Sequence, residues 1–422
     1  MDYSKFTLGN GTEIYVVSSP LYTHTLLTVN FYSRSGTENA ARTLGSIMLN
    51  EGTKEHASSQ LIEAEAEKHF GAAIGAGAAT KAGLHVSMLS IDVLTRPELT
   101  GNENTLEAMA GLMAEMLYRP LIIAGKFNQG YFEVKQQEIG IAVKMEAMNK
   151  ENKAAHRFME VALGAESPFA AKATGIPGDV EKISNMEAVW AWERIYETAS
   201  RRIFAATNLS PESIMRLCSE HFSNLPNICN NTTIGPVPAK NAGTVEEESG
   251  FDQSMVYVGF PVAVPETSRE RLALRLLNMY IGGYGNARLE DEIRQKRDMA
   301  YYARSRLSLE TGLLYGVTGV DLANKDTAVE IMTREIRKAA EGKITKGGFN
   351  RAKRLLRDTH MRAMHTKSEK LEAIERLVLT GKGDEIESYE DPFKDISYDD
   401  VVKAAARIIN APVTYCLLGG KK

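Results

Sequence analysis

The sequence is poor in cysteine and lacks long apolar runs. Its three cysteines, Cys218, Cys229 and Cys416, are scattered and form no Cys-x-x-Cys pair. This pattern excludes a disulfide framework and a thiolate metal site, and it favours a reducing compartment. No stretch reaches the ~18 apolar residues that a membrane helix needs, and no signal peptide is visible. We therefore expect a cytoplasmic protein without a membrane partner, although a cleaved signal would leave no trace.

An excess of charge of either sign is also missing. The 422 residues include 50 Lys and Arg against 54 Asp and Glu, which gives a formal net charge of -4. The charges are mixed along the chain, so no field strong enough to hold nucleic acid is expected. The composition, with 43% hydrophobic and 25% charged residues, is typical of globular proteins. The length allows two to four domains.

The order of the predicted elements occurs twice along the chain, which indicates an internal duplication. The corresponding pairs are a strand at 26–32 and 255–260, a helix at 42–50 and 269–280, an alternating segment at 72–92 and 299–321, and a closing strand at 203–206 and 414–418. The sequence thus predicts an α+β fold of two tandem homologous halves. Each half has a largely antiparallel sheet packed with helices, and the halves face each other across a cleft.

The boundary between the halves is predicted in a segment without a core-forming period. Residues 227–249 contain two prolines, several Asn and Gly residues, and an acidic run at 246–248. We interpret this segment as a linker with solvent-exposed glutamates. The predicted domains are therefore 1–226 and 250–422. Within the first domain, residues 127–158 are predicted to form one long polar helix.

A segment of the second half carries a recognisable pattern. After a turn with Gly282, Gly283 and Gly285, residues 294–301 read Arg-Gln-Lys-Arg-Asp-Met-Ala-Tyr and lead from a charged helix into a strand. This order resembles the insulinase or pitrilysin family of zinc peptidases, in its short bacterial form related to processing peptidase subunits. The resemblance covers residues 5–420 and implies two homologous halves joined by a linker.

The resemblance implies a zinc site that the sequence does not provide. The family carries His-x-x-Glu-His on its first helix, before a Gly-Thr pair, and a third ligand further along the chain. Aligned on Gly-Thr at 52–53, these positions are Thr43, Ser46, Ile47 and Lys135, with Glu133 as the alternative third ligand. Isoleucine and an ammonium group cannot bind zinc, and hydroxyls are poor ligands. We expect no cofactor in this chain and zinc in a partner subunit.

Arg297 and Tyr301 match the second part of the family's active site. In the family, the Arg anchors the substrate backbone and the Tyr hydroxyl helps to stabilise the tetrahedral oxyanion. Some bacterial members divide the zinc motif and this Arg/Tyr pair between two chains. The resemblance therefore implies catalytic roles for both residues. Without the family, an Arg and a Tyr four residues apart on a helix would usually only stack at the surface.

Two stretches of small residues are candidates for substrate binding. Gly75, Ala76 and Gly77 lie where the family has an edge strand that binds extended peptides by strand addition. Small side chains there would let a peptide backbone approach closely, and the alternative is a loosely packed strand and turn. The glycines at 282–285 would serve similarly, although glycines after a helix are more often its C-cap.

We interpret the chain as the non-zinc subunit of a heterodimeric metallopeptidase that cleaves peptides and is inactive alone. The alternative is an inert structural or peptide-binding subunit of a larger complex. A stand-alone peptidase with another metal site would need about one equivalent of zinc in the purified chain. The histidines do not favour it, because only His360 and His365 lie close in sequence. On a helix these two would point about 140° apart, which favours a solvated or capping role.

Overall fold

A computed structural model describes residues 3–101, 103–228, 243–363, 366–381 and 391–420. The strands are β1 Ser4–Thr7, β2 Glu13–Ser18, β3 His24–Arg34, β4 Ala73–Lys81, β5 Leu84–Leu94, β6 Ile122–Ile123, β7 Lys126–Phe127, β8 Ser200–Thr207, β9 Gly243–Glu248, β10 Ser254–Pro261, β11 Ala303–Ser308, β12 Leu313–Val320 and β13 Val413–Leu418. The helices are α1 Asn39–Ile47, α2 Ser59–Glu67, α3 Pro97–Thr100, α4 Thr105–Tyr118, α5 Gln129–Met148, α6 Lys150–Leu163, α7 Asn185–Thr198, α8 Pro211–Phe222, α9 Ser268–Gly282, α10 Arg288–Glu290, α11 Lys325–Ala340, α12 Lys346–Ala363, α13 Lys367–Thr380 and α14 Tyr398–Ala405. None of these helices combines the length and the apolarity that crossing a membrane requires.

The described residues form two compact units, each built from several stretches of chain. The first unit draws on Met1–Met145, Ala171–Ile234 and Thr366–Leu379, and the second on Glu146–Ala170, Gly235–His365 and Thr380–Lys422. Helix α6 therefore belongs to the second unit and α13 to the first. The predicted domains, 1–226 and 250–422, place α6 in the first domain and α13 in the second. This exchange of two helices was not predicted, because the periodicity of a helix does not reveal which sheet it covers.

The two sheets have the same strand order, except that the first has β1 as an additional edge strand. The first sheet runs β1-β2-β8-β3-β5-β4, and the second, read in the matching direction, runs β9-β13-β10-β12-β11. From β2 to β4 and from β9 to β11, each sheet begins with a parallel pair and continues with antiparallel pairs. The duplicated, largely antiparallel α+β architecture predicted from the sequence is thereby confirmed.

One face of the first sheet packs against helices of its own half. Helix α4 shows why these residues form a buried helix. Asn104 accepts a hydrogen bond from the main-chain N–H of Glu107 and so caps its amino end. Met109, Met113 and Met116 follow at helical spacing and are fully buried in the core. In the second unit, a comparable core is formed by β10, α9, α11 and α14.

The other face of each sheet is covered by the exchanged helix. In the second unit, the ring of Phe158 on α6 stacks on Tyr257, with ring centroids 4.9 Å apart, and lies 5.1 Å from Tyr315. In the first unit, the buried carboxylate of Glu375 on α13 accepts hydrogen bonds from Asn30 Nδ2 at 2.8 Å and Tyr32 Oη at 2.7 Å. Both sheets are therefore covered on two faces.

The single helix predicted over 127–158 is broken at Asn149. The side chain of Asn149 accepts hydrogen bonds from the main-chain N–H groups of Glu151 and Asn152, both at 3.0 Å. Helix α5 ends at Met148, and this N-cap starts α6 at Lys150. The break is what allows α6 to join a different unit from most of α5.

The predicted linker ends before residue 249. Strand β9 pairs in parallel with β13, and Glu247 accepts hydrogen bonds from Arg157 Nε at 3.1 Å and Tyr415 Oη at 3.2 Å. The interpretation of residues 246–248 as a spacer was therefore wrong, because they belong to a strand, whereas the expected exposure holds for Glu246 and Glu248. Strand β9 lies at the edge of its sheet, where charged side chains are tolerated and discourage pairing with other chains. Residues 229–242 of the predicted linker lie outside the described residues.

Candidate functional site

The predicted catalytic pair lies on a loop between α9 and β11, residues 283–302, which we call the Arg/Tyr loop. It contains the short α10, which continues as a π-helical turn over Asp291–Gln295. Asp298 then adopts a left-handed conformation with φ of 52°, which Asp tolerates better than most residues and which ends the helical path. Arg297 and Tyr301 therefore do not share a helix, so the surface stacking expected at that spacing does not apply to them.

Glu290 holds the two ends of the Arg/Tyr loop together. Its side chain is buried, and it accepts hydrogen bonds from Arg294 Nη1 at 2.8 Å and from the main-chain N–H of Ala303 at 2.9 Å. One carboxylate thus joins the helical turn to the first residue of β11. Because both partners are fixed by a charge-assisted bond, the residues between them have a defined path.

The two adjacent tyrosines of the loop have different environments. The side chain of Tyr301 is 85% exposed, and the Arg294 guanidinium lies 5.2 Å from the centroid of its ring. Tyr302 is half-buried and donates a hydrogen bond to Glu151 on α6 at 3.0 Å. Burial, together with the negative charge of Glu151, raises the pKa of the Tyr302 hydroxyl. Tyr301 is therefore the tyrosine whose hydroxyl is available to a ligand.

Arg294 was not among the residues singled out from the sequence. The only signal for it was its spacing of four residues from Glu290, which on a helical turn brings a carboxylate and a guanidinium together. Its position over the Tyr301 ring is a cation–π contact that fixes the orientation of an exposed aromatic side chain. Arg294, rather than Arg297, is thus the arginine that contacts Tyr301.

Arg297 is anchored at one nitrogen. Its Nη1 donates to the main-chain oxygen of Glu292 at 2.7 Å and to Glu292 Oε2 at 3.0 Å, while 37% of its side chain is exposed. Burial raises the pKa of the Glu292 carboxyl, but hydrogen bonds from Lys296 and Arg297 outweigh this and hold the pKa below its usual value. The carboxylate therefore stays charged at neutral pH. In the part of the chain that the structure describes, no hydrogen bond uses Arg297 Nη2.

A second carboxylate supports the loop from α11. Glu335 is buried and accepts bonds from Arg288 Nη2 at 2.7 Å, Arg334 Nε at 2.9 Å and Lys338 Nζ at 2.9 Å. Burial opposes its ionisation, but these three cations lower the pKa of the Glu335 carboxyl to about 2. The base of the Arg/Tyr loop is therefore a network of buried carboxylates neutralised by basic side chains, which favours a rigid loop.

The positions at which the family would bind zinc are occupied by internal hydrogen bonds. Thr43 Oγ1 donates to the main-chain oxygen of Ala173 at 2.6 Å, so the contact of 3.0 Å with His85 Nε2 requires the imidazole to be the donor. Ser46 Oγ lies 2.7 Å from Ser87 Oγ. The hydroxyls that replace the metal ligands are therefore used within the fold.

The electrostatics of this region also oppose a metal ion. Burial, assisted by the nearby Arg42 guanidinium, lowers the pKa of His85 to about 3. Lys135, at the position of the third ligand, extends its ammonium group to Glu51 Oε1 at 3.3 Å and to Glu138 Oε2 at 3.0 Å. Ile47 offers no donor atom. These residues do not fit a catalytic zinc ion, and no chemical step through zinc is assigned to them.

Strand β4, which contains Gly75, Ala76 and Gly77, is an edge strand as predicted. Its outer side is nevertheless partly occupied. The side chain of Asn50 accepts a hydrogen bond from the N–H of Ala76 at 2.7 Å and donates one to the oxygen of Ala76 at 2.9 Å. Since main-chain groups alternate in direction along a strand, those of Gly75 and Gly77 turn towards β5. Their role in substrate binding stays a prediction.

The glycines that follow α9 have distinct surroundings. A Cβ atom on Gly282 would lie 2.5 Å from the main-chain nitrogen of Ser305 on β11, and one on Gly283 would lie 2.7 Å from the Cα atom of Met279. These two glycines therefore allow close packing, and Gly283 is the C-cap of α9. A Cβ atom on Gly285 would meet nothing within 4 Å. Substrate binding by Gly282, Gly283 and Gly285 stays a prediction.

Among the described residues, one group of three side chains could share a metal ion, and it lies elsewhere. Glu107 on α4 and Glu220 and His221 on α8 place their ligand atoms within 4.8 Å of one another. His221 Nε2 is 2.5 Å from Glu107 Oε1, so a histidine–carboxylate pair already accounts for much of the group. Sequence reasoning did not bring these residues together, and none of the predicted site residues belongs to the group.

Comparison with known proteins shows similarity to one family of peptidases. Residues 192–356 match the family described as Peptidase M16 inactive domain. A Bacillus subtilis protein named "Probable inactive metalloprotease YmfF" is 21% identical over 88% of this chain and 87% of its own length. These matches support an inactive member of the M16 peptidase family. The resemblance to the insulinase or pitrilysin peptidases is thereby confirmed.

Other M16 relatives include processing peptidase subunits. An Arabidopsis thaliana protein named "Probable mitochondrial-processing peptidase subunit alpha-1, mitochondrial" is 21% identical over 51% of this chain. The match spans 46% of that protein's own length, so about half of each protein is aligned. Together with the match to the inactive domain, these relatives support a non-catalytic M16 subunit without a catalytic zinc ion of its own.

Solved structures show the same fold. A conserved protein from Enterococcus faecalis superposes with a TM-score of 0.90 at 16% identity, and the match covers 100% of both chains. A peptidase M16 inactive domain from Pseudomonas fluorescens superposes with a TM-score of 0.82 at 15% identity over 100% of this chain and 99% of its own. At these identities the likeness supports the M16 fold alone.

Proposed function

We propose that this chain is the non-zinc subunit of a heterodimeric M16 peptidase, and that it supplies Arg297 and Tyr301 to peptide cleavage. The observation that carries the proposal is the difference between the two parts of the expected active site. Two of the zinc positions hold hydroxyls bonded within the fold, whereas Tyr301 is 85% exposed on a loop held by buried carboxylates. An exposed tyrosine on a rigid base is suited to a ligand from outside this chain.

The chemistry of the two side chains agrees with this role. The Tyr301 hydroxyl can donate a hydrogen bond to the oxyanion that forms when a peptide carbonyl is attacked. The Arg297 guanidinium keeps Nη2 for a carbonyl or carboxylate of the substrate, since its hydrogen bonds among the described residues use Nη1. In this proposal, a homologous partner holds the zinc ion that activates water.

The test is peptidase activity after the chain is mixed with a zinc-bearing homologue. Neither subunit alone is expected to cleave peptides at the rate of the mixture. Tyr301→Phe is expected to lower kcat of the mixture by about 10²-fold, the effect of removing one oxyanion donor. Tyr302→Phe is the matched control, because its hydroxyl is bonded to Glu151 within the fold, and it should leave kcat within about threefold of wild type.

A second outcome corresponds to the alternative, an inert structural or peptide-binding subunit. This alternative is favoured by the hydrogen bonds of Thr43 and Ser46 within the fold, because residues bonded in this way do not hold a catalytic metal ion. If Tyr301→Phe and Arg297→Gln both support wild-type turnover in the mixture, the catalytic role is refuted and the inert subunit is supported. Retained binding of the partner by both variants, measured by size-exclusion chromatography, distinguishes this result from failed assembly.

A further inference from the structure

The second unit contains a cavity of about 500 Å³, and one of the predicted substrate-binding residues, Gly283, belongs to its lining. It lies between α9, β11 and α12. Its lining includes Arg275, Met279, Leu307, Leu356, His360 and Phe393. A volume of this size suits a ligand of one or two amino-acid residues.

The cavity combines apolar walls with positive charge. Met279, Leu307, Leu356 and Phe393 supply the apolar surface, while none of the described lining residues is Asp or Glu. Arg275 and Arg306 supply guanidinium groups, and the other polar residues of the lining are Asn278, Ser305, Thr359 and His360. The His360 ring, 5% exposed, meets Phe393 edge-on with centroids 6.2 Å apart. The solvated role predicted for His360 is therefore wrong, because its ring is buried.

Helix α12 adds to the positive potential. Its basic residues are Lys346, Arg351, Lys353, Arg354, Arg357 and Arg362, and its acidic residue is Asp358. Because the chain as a whole has a formal net charge of -4, this helix is a local concentration of positive charge. Such a concentration beside a concave site favours an anionic ligand.

Main-chain N–H and C=O groups of strand β11 also border the cavity. The N–H of Ala303 bonds to Glu290, not to β12, and a Cβ on Gly282 would touch the nitrogen of Ser305. Both residues therefore turn their main-chain groups away from β12, and by alternation Leu307 does so too. Since Leu307 also lines the cavity, its N–H and C=O are directed to the edge at which an extended chain could pair.

We propose that this cavity binds the C-terminal residue of a peptide, with an apolar side chain in the pocket and its free carboxylate close to Arg275. The peptide main chain forms hydrogen bonds with the main chain of Leu307. A simple carboxylic acid has no peptide groups and cannot form this pairing. A guanidinium and a carboxylate form a strong charge-assisted pair in a partly dry site. The proposal concerns this chain alone, so its failure and the failure of the proposed catalytic role are separable.

The test measures binding to the full-length chain by titration calorimetry. The probes are N-acetyl-Ala-Ala-Ala-Leu with a free carboxylate, the same peptide as its C-terminal amide, and 4-methylpentanoate. The free peptide is expected to bind at least about tenfold more tightly than the amide, because the amide loses the charge-assisted bond. It is also expected to bind more tightly than 4-methylpentanoate, which cannot pair with β11.

Two pairs of variants locate the site. Arg275→Gln is expected to weaken the free peptide at least about tenfold, whereas Arg354→Gln removes the same charge from exposed surface of α12 and should change affinity less than about twofold. Leu356→Trp fills the cavity and should abolish binding, whereas its neighbour Leu355→Trp, outside the cavity, should not. Leu356→Trp changes no charge, so it tests the site even if Arg275→Gln fails to fold.

Three results would overturn the proposal. The first is no measurable binding of any probe to the wild-type chain. The second is equal affinity for the free peptide and its amide. The third is unchanged affinity in a folded Leu356→Trp variant. If 4-methylpentanoate binds as tightly as the peptide, the pairing with Leu307 is refuted and the cavity is a site for small carboxylic acids.

Discussion

The edge strands β4 and β11 occupy equivalent places in the duplicated halves, yet their outer sides differ. At β4, the Asn50 side chain makes two hydrogen bonds with the main chain of Ala76, as a neighbouring strand would. At β11, the last residue of α9 is Gly282, and without a side chain the helix itself approaches Ser305. Beyond this contact, β11 borders a cavity at Leu307.

This difference shows how little of a duplicated fold must change to alter its surface. Strand order and pairing direction are the same in both sheets. The Asn50 side chain closes the edge of β4 at Ala76. The absence of a side chain on Gly282 lets α9 cover part of the edge of β11. An edge strand is available to a peptide only where its outward main-chain groups have no such partner.

The largest effect is expected from filling the contact between α9 and β11. Gly282→Ala places a Cβ atom 2.5 Å from the main-chain nitrogen of Ser305, so it should lower the free energy of unfolding by about 3 kcal/mol. Gly285→Ala, whose Cβ meets nothing within 4 Å, is the matched control and should cost less than about 1 kcal/mol. Urea unfolding of both variants measures this. Equal stability would mean that β11 is not held by close packing of the helix.

Acidification should affect the first unit through His85, which lies on β5 beside β4. Its pKa in the fold is about 3, below its ordinary value of 6.5. Below pH 6.5 the unfolded chain gains a proton that the folded chain does not accept until near pH 3. The contribution of His85 to the free energy of unfolding is therefore fully present above pH 6.5 and is lost as the pH falls from there towards 3.

The expected loss between pH 7 and pH 5 is about 2 kcal/mol in the free energy of unfolding, from roughly 1.4 kcal/mol per pH unit below 6.5. Urea unfolding at both pH values measures it. His85→Gln is expected to reduce this pH dependence, whatever its effect on stability at pH 7. An unchanged slope in the variant would show that other groups control the acid response.

Removing the side chain that closes β4 should have a smaller effect. Asn50→Ala deletes two hydrogen bonds to Ala76 and is expected to cost about 1–2 kcal/mol. The amide of Ala76 should also exchange faster with deuterium. Asn50→Asp is the control, because it retains an acceptor for the Ala76 N–H but loses the donor to its carbonyl. Unaltered exchange in Asn50→Ala would contradict the closed edge.

The smallest effect on stability is expected at the exposed tyrosine of the Arg/Tyr loop. Tyr301→Phe should change the free energy of unfolding by less than about 0.5 kcal/mol, since its side chain is 85% exposed. Tyr302→Phe removes the bond to Glu151 and should cost about 1 kcal/mol. Thermal unfolding of the isolated chain compares them. The reverse order would assign the structural role to Tyr301.

The sequence predicted the duplication because apolar periodicity and order are local properties that survive divergence. It missed β9, whose glutamates have no apolar alternation since the strand lies at a sheet edge. Its counterpart β2 is an inner strand, covered by β1 on its outer side. The exchange of α6 and α13 was also missed, because an amphipathic helix is equally compatible with either sheet until distant residues come together.

For the site, the sequence identified the loop but not its internal contacts. The absence of zinc ligands at Thr43, Ser46 and Ile47 could be read directly, since residue chemistry alone decides it. The stacking of Arg294 on Tyr301 depends on a π-helical turn that spacing rules do not anticipate. The closure of β4 by Asn50 joins residues 26 positions apart, which no local pattern indicates.

The exchanged helix α13 has a consequence for how the protein is made on the ribosome. The face of the first sheet that bears Tyr15, Val86 and Phe204 is covered by Leu371 and Ile374. All strands of that sheet have been translated once Thr207 is reached. At 5–20 residues per second, α13 follows only after roughly 10–35 s. During synthesis this apolar face is therefore exposed for much longer than a sheet takes to form, and it is a natural surface for a chaperone.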